Sequence, residues 1–266
     1  MASQSSRPSP RQRESSAARG ISLFVVPGIP EIRKGQKLAG LIALAARRAG
    51  IAWQDGDIVV VAQKIVSKAE GRVVRLSAVK PSPEAAALSK KLSGDPRLIE
   101  VILGESRRIV RSERVLIVET HHGFVCANAG VDHSNVSGRD FVTLLPKNPD
   151  RSARGLSLAL RKQTGRRIAV IISDTFGRPW RLGLINVAIG AAGVPALVDL
   201  RGTRDRHRKL LRATVLAVAD ELAAAGGLLM GKAAGTPVVV IRGYRYRFVQ
   251  DPAARILRSP KEDLFR

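Results

Sequence analysis

Oxygen-bearing and basic side chains stand close together in the segment SDTFGRPWR, residues 173–181. The segment follows an apolar stretch and presents Asp174 and Thr175 a few positions before Arg178 and Arg181. Carboxylate and hydroxyl oxygens are the hard ligands that Mg2+ and Mn2+ prefer, whereas guanidinium groups bind phosphates and carboxylates. The segment therefore indicates a metal or anion site at the end of a buried strand.

Two other segments carry the same kinds of side chain. NAGVDHSNV, residues 128–136, follows the apolar stretch FVCA and offers Asp132 and Asn135 in a turn-forming context. AQKIVSKAEGR, residues 62–72, offers Gln63, Lys64 and Lys68. Phosphoryl transfer needs cations that neutralise the transferred oxygens and hold the reacting groups in line. The three segments together predict a metal-assisted site that handles phosphate.

Each of these residues also has a purely structural explanation. Asp132 could cap a turn, because aspartate is common in such contexts. Asp174 needs a partner at the end of a buried strand, and Arg178 could supply it as an ion pair. Lys64 and Lys68 could be ordinary solvated lysines. No single residue decides, and the chemical interpretation depends on the set.

The composition limits the classes of protein to consider. The 266 residues include 45 Lys and Arg against 22 Asp and Glu, which gives a net charge of +23. Such a charge attracts nucleic acid or phosphorylated and carboxylated small molecules, and an arginine-rich solvated surface explains it equally well. The single cysteine, Cys126, excludes an internal disulfide, so a reducing cytoplasm is the expected compartment. No apolar run reaches the ~18–20 residues that span a bilayer, so no membrane partner is expected.

The two ends of the chain differ from the middle. Residues 1–19 are polar and basic and lack the apolar segment of a signal peptide, so we expect a disordered basic tail. Residues 20–245 are expected to form the functional domain. Residues 246–266 are expected to be a basic, peripheral C-terminal extension.

The hydrophobic pattern predicts an α+β fold in which mixed and antiparallel sheets pack against helices. Ile58–Ala62 is typical of a buried strand, and residues 121–123 are expected to turn a hairpin. Ser82 and Asp95, each followed by proline, are expected to begin two short helices. The longest helix is expected over residues 208–225.

Motifs of the common nucleotide and hydrolase sites are missing from the sequence. It contains no GxxxxGK[ST] phosphate loop, no GxGxxG, no GxSxG and no HExxH. The site must therefore belong to a less common family.

The chain resembles the coenzyme F-420-0:L-glutamate ligase family, the gamma-glutamyl ligases of deazaflavin coenzyme biosynthesis. The resemblance covers residues 22–244 and is carried by five segments in a fixed order. These segments are PGIPEI (27–32), QKIVSKAEGR (63–72), ETHHGFVCANAGVDHSN (119–135), SDTFGRPWRLGLINVAIGAAG (173–193) and ADELA (219–223). No companion nitroreductase-like domain is seen, so the resemblance is to the stand-alone form.

The resemblance implies a GTP-dependent amide ligase. In this family GTP phosphorylates the carboxylate of the phospholactate-bearing deazaflavin, and the amine of L-glutamate then displaces phosphate. Later rounds add further glutamates through the gamma-carboxyl group. The resemblance also implies an intertwined homodimer that uses Mg2+ or Mn2+, sometimes with K+.

The resemblance assigns roles to particular residues of this chain. Asp132 and Asp174 match the carboxylates of a first metal, and Thr175 matches a ligand of a second. Asn135, Gln63 and Lys68 match GTP contacts. Two loops match nucleotide contacts. The first is residues 27–32, with Pro27, Gly28, Ile29 and Pro30, and the second is residues 230–237, with Met230, Gly231 and Lys232. Arg178 and Arg181 are expected to orient an anionic substrate or to pair with the buried acid.

The chain departs from the family pattern at two places. Lys232 stands where many members have a glutamine that binds the second metal, and a protonated lysine cannot bind a metal. Lys232 would then replace the ion with its own charge, or other groups would hold the ion. The segment RDRHRKL lacks the glycine that is common near Arg208.

Two other functions remain open at this point. A metal-dependent nucleotide phosphohydrolase would use the same Asp132 and Asp174, with water as the acceptor. A basic nucleic-acid-binding protein would use the tail and surface charge. Aromatic residues make up only 4% of the chain, which counts against nucleic-acid binding.

Overall fold

The computed structural model describes residues 20–133, 140–231, 234–259 and 261–263. Within these ranges the chain folds as α+β, as predicted. The helices are α1 (Leu38–Arg48), α2 (Gln63–Ala69), α3 (Pro83–Leu92), α4 (Pro96–Gly104), α5 (Pro149–Thr164) and α6 (Val218–Met230). The strands are β1 (Ser22–Val25), β2 (Ile58–Ala62), β3 (Val73–Arg75), β4 (Ser106–Glu113), β5 (Val115–Thr120), β6 (Val125–Ala127), β7 (Phe141–Thr143), β8 (Ala169–Arg178), β9 (Arg181–Ala192), β10 (Val198–Asp199), β11 (Val215–Leu216) and β12 (Val238–Arg242).

A mixed five-stranded sheet forms the centre of the described structure, in the order β1-β12-β2-β8-β9. β2 and β8 are parallel, and every other neighbouring pair is antiparallel. The central strands are apolar and have helices on both faces, so nearly all their side chains are buried.

The two faces of this sheet are covered differently. α1 and α5 pack on one face, against Val59, Val170 and Ile172. α6 packs on the other face, against Val60 and Ile171. α6 comes very close to the sheet, and it can do so because it has glycine where its backbone meets β2 and β9.

A third apolar core lies beside the large sheet. It is built by α3, α4 and the antiparallel sheet β4-β5-β6, together with the short pair β3-β7. Ser82 and Asp95 cap α3 and α4 by accepting hydrogen bonds from the N–H groups of Ala85 and Arg97, as the Ser-Pro and Asp-Pro pairs predict. The turn between β5 and β6 falls at residues 121–124, which confirms the predicted hairpin.

The prediction of the longest helix over residues 208–225 was wrong. The helix in this region is α6, which begins at Val218, and the longest described helix is α5. Residues 199–215 form an irregular hairpin in which the Asp205 carboxylate accepts the N–H groups of His207 and Lys209. Arg208 has a φ of 64°, a left-handed conformation that glycine adopts more easily.

The C-terminal segment is less peripheral than expected. The Asp251 carboxylate is buried and accepts a hydrogen bond from the N–H of Ala196. The Asp150 carboxylate accepts hydrogen bonds from the N–H groups of Ala253 and Ala254. Ala253 itself is buried against the α6 face of the sheet. Residues 246–257 therefore belong to the packed structure. No helix of the described residues has the length and apolar character to cross a membrane.

Candidate active site

A cavity of about 410 Å3 opens where β2 ends and α2 begins. Its size is typical of a small-molecule site. Four parts of the chain form most of its lining: the loop after β1, the β2–α2 junction, the β8–β9 hairpin, and the end of α6 with the loop that follows. The turn after β6 completes the wall.

The β2–α2 junction puts polar side chains on the cavity wall. β2 passes directly into α2 at Gln63 without a loop. Gln63 is buried, and its Oε1 accepts a hydrogen bond of 2.8 Å from Ser67 one turn later. Its Nε2 is buried without a hydrogen-bond partner among the described residues. A buried donor left in this way is available to hydrogen-bond a ligand group or a water molecule.

The β8–β9 hairpin projects beyond the end of β2. The pairing of β2 with β8 stops at Ala62 and Ser173, whereas β8 continues to Arg178. Asp174 and Thr175 therefore lie within a continuing strand, and not at its end as the sequence suggested. Neighbouring residues of a strand point to opposite faces, so the cavity reaches both around the free edge of β8.

An unusual turn delivers Asp132 to the cavity. Asn128, Ala129 and Gly130 have φ angles of 52°, 55° and 69°, so three successive residues are left-handed. This conformation is costly for Ala129, and such strain is often found beside functional sites. Asp132 is then fixed by backbone hydrogen bonds in both directions with Thr143.

Two lysines of α2 form ion pairs inside the site. Lys64 Nζ lies 2.7 Å from Asp132 Oδ2, and Lys68 Nζ lies 2.5 Å from Glu31 Oε1. Lys68 is buried, so the alternative that it is an ordinary solvated lysine is wrong. The pairs connect α2 to the turn after β6 and to the loop after β1.

The end of α6 forms the remaining wall. Met230 is buried, and the Thr236 hydroxyl donates to the Met230 carbonyl oxygen at 2.7 Å, which ties the following loop to the helix end. Asn186 of β9 stands between this helix end and β8, within hydrogen-bonding reach of Ser173 and Thr175.

The cavity collects most of the residues that the sequence singled out. Its lining includes Asp132, Asp174, Thr175, Ile29, Pro30, Gln63, Lys68, Met230 and Gly231. Pro27 and Gly28 lie just before the lining part of their loop and are exposed. Asn135 and Lys232 fall outside the described residues, so their assigned roles stay predictions.

Arg178 and Arg181 lie at the tip of the β8–β9 hairpin, outside the cavity lining. The Arg178 guanidinium donates to the Leu182 carbonyl oxygen at 3.1 Å, which stabilises the turn. Their catalytic role stays a prediction.

Three lining residues had no individual role assigned from the sequence: Lys64, Glu31 and Asn186. Lys64 belonged to the predicted set, but its pairing with Asp132 is visible only in the structure. Glu31 lies within the PGIPEI segment, which was matched as a whole to a nucleotide-contacting loop. Asn186 carries no chemical pattern of its own, because only the pairing of β8 with β9 brings it to the site.

The neighbouring cysteine is inert in this environment. Burial, and to a lesser extent the negative charge of Asp174, raises the pKa of the Cys126 thiol to about 12. The thiol stays protonated at neutral pH and is neither a thiolate nucleophile nor a thiolate metal ligand.

The donor set fits a hard divalent cation held jointly with phosphate. Among the described residues, no three or more His, Cys, Asp and Glu side chains are grouped so as to hold a metal. Asp132, Asp174 and Thr175 line the cavity with two carboxylates and one hydroxyl. Mg2+ is commonly bound by one or two carboxylates together with substrate phosphates and water, so these residues fit such an ion.

Comparison with known proteins identifies the family. A sequence profile described as F420-0:Gamma-glutamyl ligase matches residues 28–243. The chain belongs to the F420-0:gamma-glutamyl ligase family. The segment that matches this family includes every residue of the cavity lining, from Ile29 to Pro237.

Curated members of the family are similar over nearly their whole length. A Coenzyme F420:L-glutamate ligase of Methanothermobacter thermautotrophicus is 49% identical over 251 residues, which cover 93% of this chain and 99% of the relative. Proteins of the same name from Methanopyrus kandleri and Methanocaldococcus jannaschii are 46% and 45% identical. These two alignments cover 91% and 80% of this chain and 96% and 86% of the relatives.

Proposed function

We propose that this protein is a coenzyme F-420-0:L-glutamate ligase that uses GTP. The observation that carries the proposal is the convergence of two carboxylates, Asp132 and Asp174, with two lysines, Lys64 and Lys68, in one cavity. This combination suits a reaction in which a nucleoside triphosphate activates a carboxylate. The relatives' name mentions coenzyme F420 and L-glutamate, and the family resemblance implies a deazaflavin precursor as the substrate that receives the glutamate.

The proposed reaction has two steps. In the first step the terminal carboxylate of the deazaflavin substrate attacks the γ-phosphorus of GTP, the bond to the bridging oxygen breaks, and an acyl phosphate and GDP form. In the second step the amine of L-glutamate attacks the acyl carbon, loses a proton and expels inorganic phosphate. The new bond is an amide, and further rounds would attach more glutamates through the gamma-carboxyl group.

The residues of the cavity divide into two groups in this proposal. Gln63 Nε2, buried and without a partner among the described residues, would donate a hydrogen bond to the nucleotide. Lys64 and Lys68 would exchange their present carboxylate partners for phosphate oxygens. The loops at Ile29–Ile32 and after Met230 would enclose the nucleotide.

Asp132, Asp174 and Thr175 would hold Mg2+ or Mn2+, with K+ as a further cation. A bound divalent cation would supply charge neutralisation at the phosphate oxygens. Asp174 and Thr175 belong to opposite faces of β8, which suits ligands of two separate ions. Such a division of roles is what the family resemblance implied.

A second copy of the chain is the proposed partner. Trp180, Leu182 and Leu184 project from the β8–β9 hairpin, and Leu182 is fully exposed. Leu228 of α6 is also exposed and follows Gly227, which contacts Asn186 of the hairpin. An exposed apolar patch of this kind is typical of a protein interface, so we propose a homodimer formed through this hairpin.

The lone cysteine supports a reducing cytoplasm as the compartment of this protein.

Mass spectrometry of the reaction tests the proposed function. Purified protein is incubated with the deazaflavin substrate, L-glutamate, GTP and Mn2+, and the products are weighed. We expect a gain of one or more glutamyl units that Asp174→Ala abolishes. Steady GTP hydrolysis without any glutamyl product would instead identify a nucleotide phosphohydrolase, and ATP in place of GTP measures the base preference.

A further inference from the structure

Asn186 connects three elements at the cavity wall. It lies on β9 directly opposite Thr175 of β8. Its Oδ1 lies 3.4 Å from Thr175 Oγ1, and its Nδ2 lies 3.4 Å from Ser173 Oγ. The same Nδ2 faces the sulfur of Met230, at the end of α6, at 3.9 Å. A single amide therefore contacts both hydroxyls of β8 and the helix end.

The Met230 sulfur favours one orientation of the Asn186 amide. A thioether sulfur accepts hydrogen bonds and cannot donate them, so the NH2 group of Asn186 faces Met230. The amide oxygen then faces Thr175 and can only accept. In this orientation the Thr175 hydroxyl donates toward Asn186 Oδ1, which leaves the lone pairs of its oxygen available for another partner.

The packing of α6 makes room for this amide. A Cβ atom at Gly227 would lie 2.7 Å from Asn186 Cγ, so only glycine fits there without displacing the amide. Glycine weakens a helix, and the glycine inside α6 therefore has a packing reason. A Cβ atom at the neighbouring Gly226 would instead lie 2.8 Å from Val60 Cβ.

We propose that Asn186 is a positioning residue that turns the lone pairs of the Thr175 hydroxyl toward the cavity, where they bind a divalent cation. This inference rests on the proposed function, because it needs a divalent cation to bind at the Thr175 hydroxyl. Asn186 itself acts only through Thr175 and does not contact the cation. Replacing a residue that orients a metal ligand commonly weakens metal binding about 10- to 100-fold.

A double-mutant cycle on Mn2+ binding tests the inference. Mn2+ alone is titrated into the full-length protein, and the free ion is measured by electron paramagnetic resonance. We expect Asn186→Leu and Thr175→Val each to weaken Mn2+ binding about tenfold. The double variant is expected to bind no more weakly than Thr175→Val, because Asn186 acts through the hydroxyl that Thr175→Val has removed.

Additive losses in the double variant would overturn the inference. So would unchanged binding in Asn186→Leu, or a wild-type protein that does not bind Mn2+. Additive losses in a protein that still makes the glutamyl product would contradict the role of Asn186 alone. A coupled cycle in a protein that makes no product would contradict the proposed ligase alone.

Two glycine variants give a matched control that leaves Asn186 in place. Gly227→Ala pushes on Asn186, whereas Gly226→Ala pushes on Val60 with a nearly equal overlap. We expect Gly227→Ala to weaken Mn2+ binding severalfold and Gly226→Ala to leave it unchanged. Equal losses in the two variants would assign the effect to a shift of α6, and thermal denaturation of each variant identifies any that fails to fold.

Discussion

Lys64 Nζ lies 2.7 Å from Asp132 Oδ2, so an ammonium group neutralises one of the two carboxylates proposed to bind metal. Both side chains are partly shielded from water, with 17% and 33% of their surfaces exposed. Lys64 comes from the first turn of α2, and Asp132 follows the left-handed turn after β6. A cation that binds Asp132 must compete with this lysine.

Replacing Lys64 should therefore strengthen metal binding. We expect Lys64→Gln to bind Mn2+ about three- to tenfold more tightly at low ionic strength, because an ion pair at this depth contributes on the order of 1 kcal/mol. Isothermal titration calorimetry without nucleotide measures the change. Lys68→Gln removes the same charge. Because Lys68 pairs with Glu31, the Mn2+ affinity of this variant should stay near that of the wild type. Weaker binding by Lys64→Gln would show that the lysine holds Asp132 in place and does not compete for it.

The two acids should matter for the reaction and not for the fold. We expect Asp132→Asn and Asp174→Asn to lower ligation at least about 10³-fold, because each removes a charged ligand from the reacting centre. Wild-type protein should melt at a higher temperature when Mn2+ is added, since binding to the native state stabilises it. This shift should be lost in both variants. A variant that unfolds without Mn2+ would point to a structural role for that acid.

The exposed hairpin should control the oligomeric state. Leu182→Glu is expected to convert a dimer into monomers, because it places a charge in the centre of an apolar contact. Light scattering coupled to size-exclusion chromatography gives the mass directly. Leu158→Glu, at an exposed position on α5, is the matched control and should stay dimeric. A wild-type protein that elutes as a monomer would remove the proposed interface.

The contact of Gly226 with Val60 should decide much of the stability of α6. We expect Gly226→Ala to lower the free energy of unfolding by about 1–3 kcal/mol, because a Cβ atom would lie 2.8 Å from Val60 Cβ. Urea denaturation measures the loss. The double variant Gly226→Ala, Val60→Ala should recover part of it, since the smaller side chain removes the overlap. No recovery would mean that the two sites are not coupled.

Local patterns explain which parts of the fold the sequence predicted. The caps at Ser82 and Asp95 and the hairpin after β5 depend on residues close together in the chain, so the prediction was confirmed. The helix expected over residues 208–225 was wrong because Asp205 binds nearby N–H groups and stabilises a turn instead.

Residue types predicted part of the candidate site, whereas the residues that strand pairing brings to it were not predicted. Asp132, Asp174 and Gln63 were chosen because carboxylates and amides beside apolar strands are unusual, and all three line the cavity. Asn186 could not be found in this way, since it lies 11 residues from Thr175 and meets it only across β8 and β9. The long hairpin was also missed, because Gly177 and Pro179 suggest a loop.

The alternation of side chains along β8 limits which changes of chain length this family member can tolerate. Ile189 is an extra residue in β9, opposite the step from Ile172 to Ser173, and the pairing after it sets Asn186 against Thr175. Deleting one residue of β8 between Ile172 and Asp174 would exchange the faces of the acid and the hydroxyl. Insertions and deletions should therefore be accepted at the hairpin tip, around Trp180 to Gly183, and rejected everywhere between the tip and this extra residue.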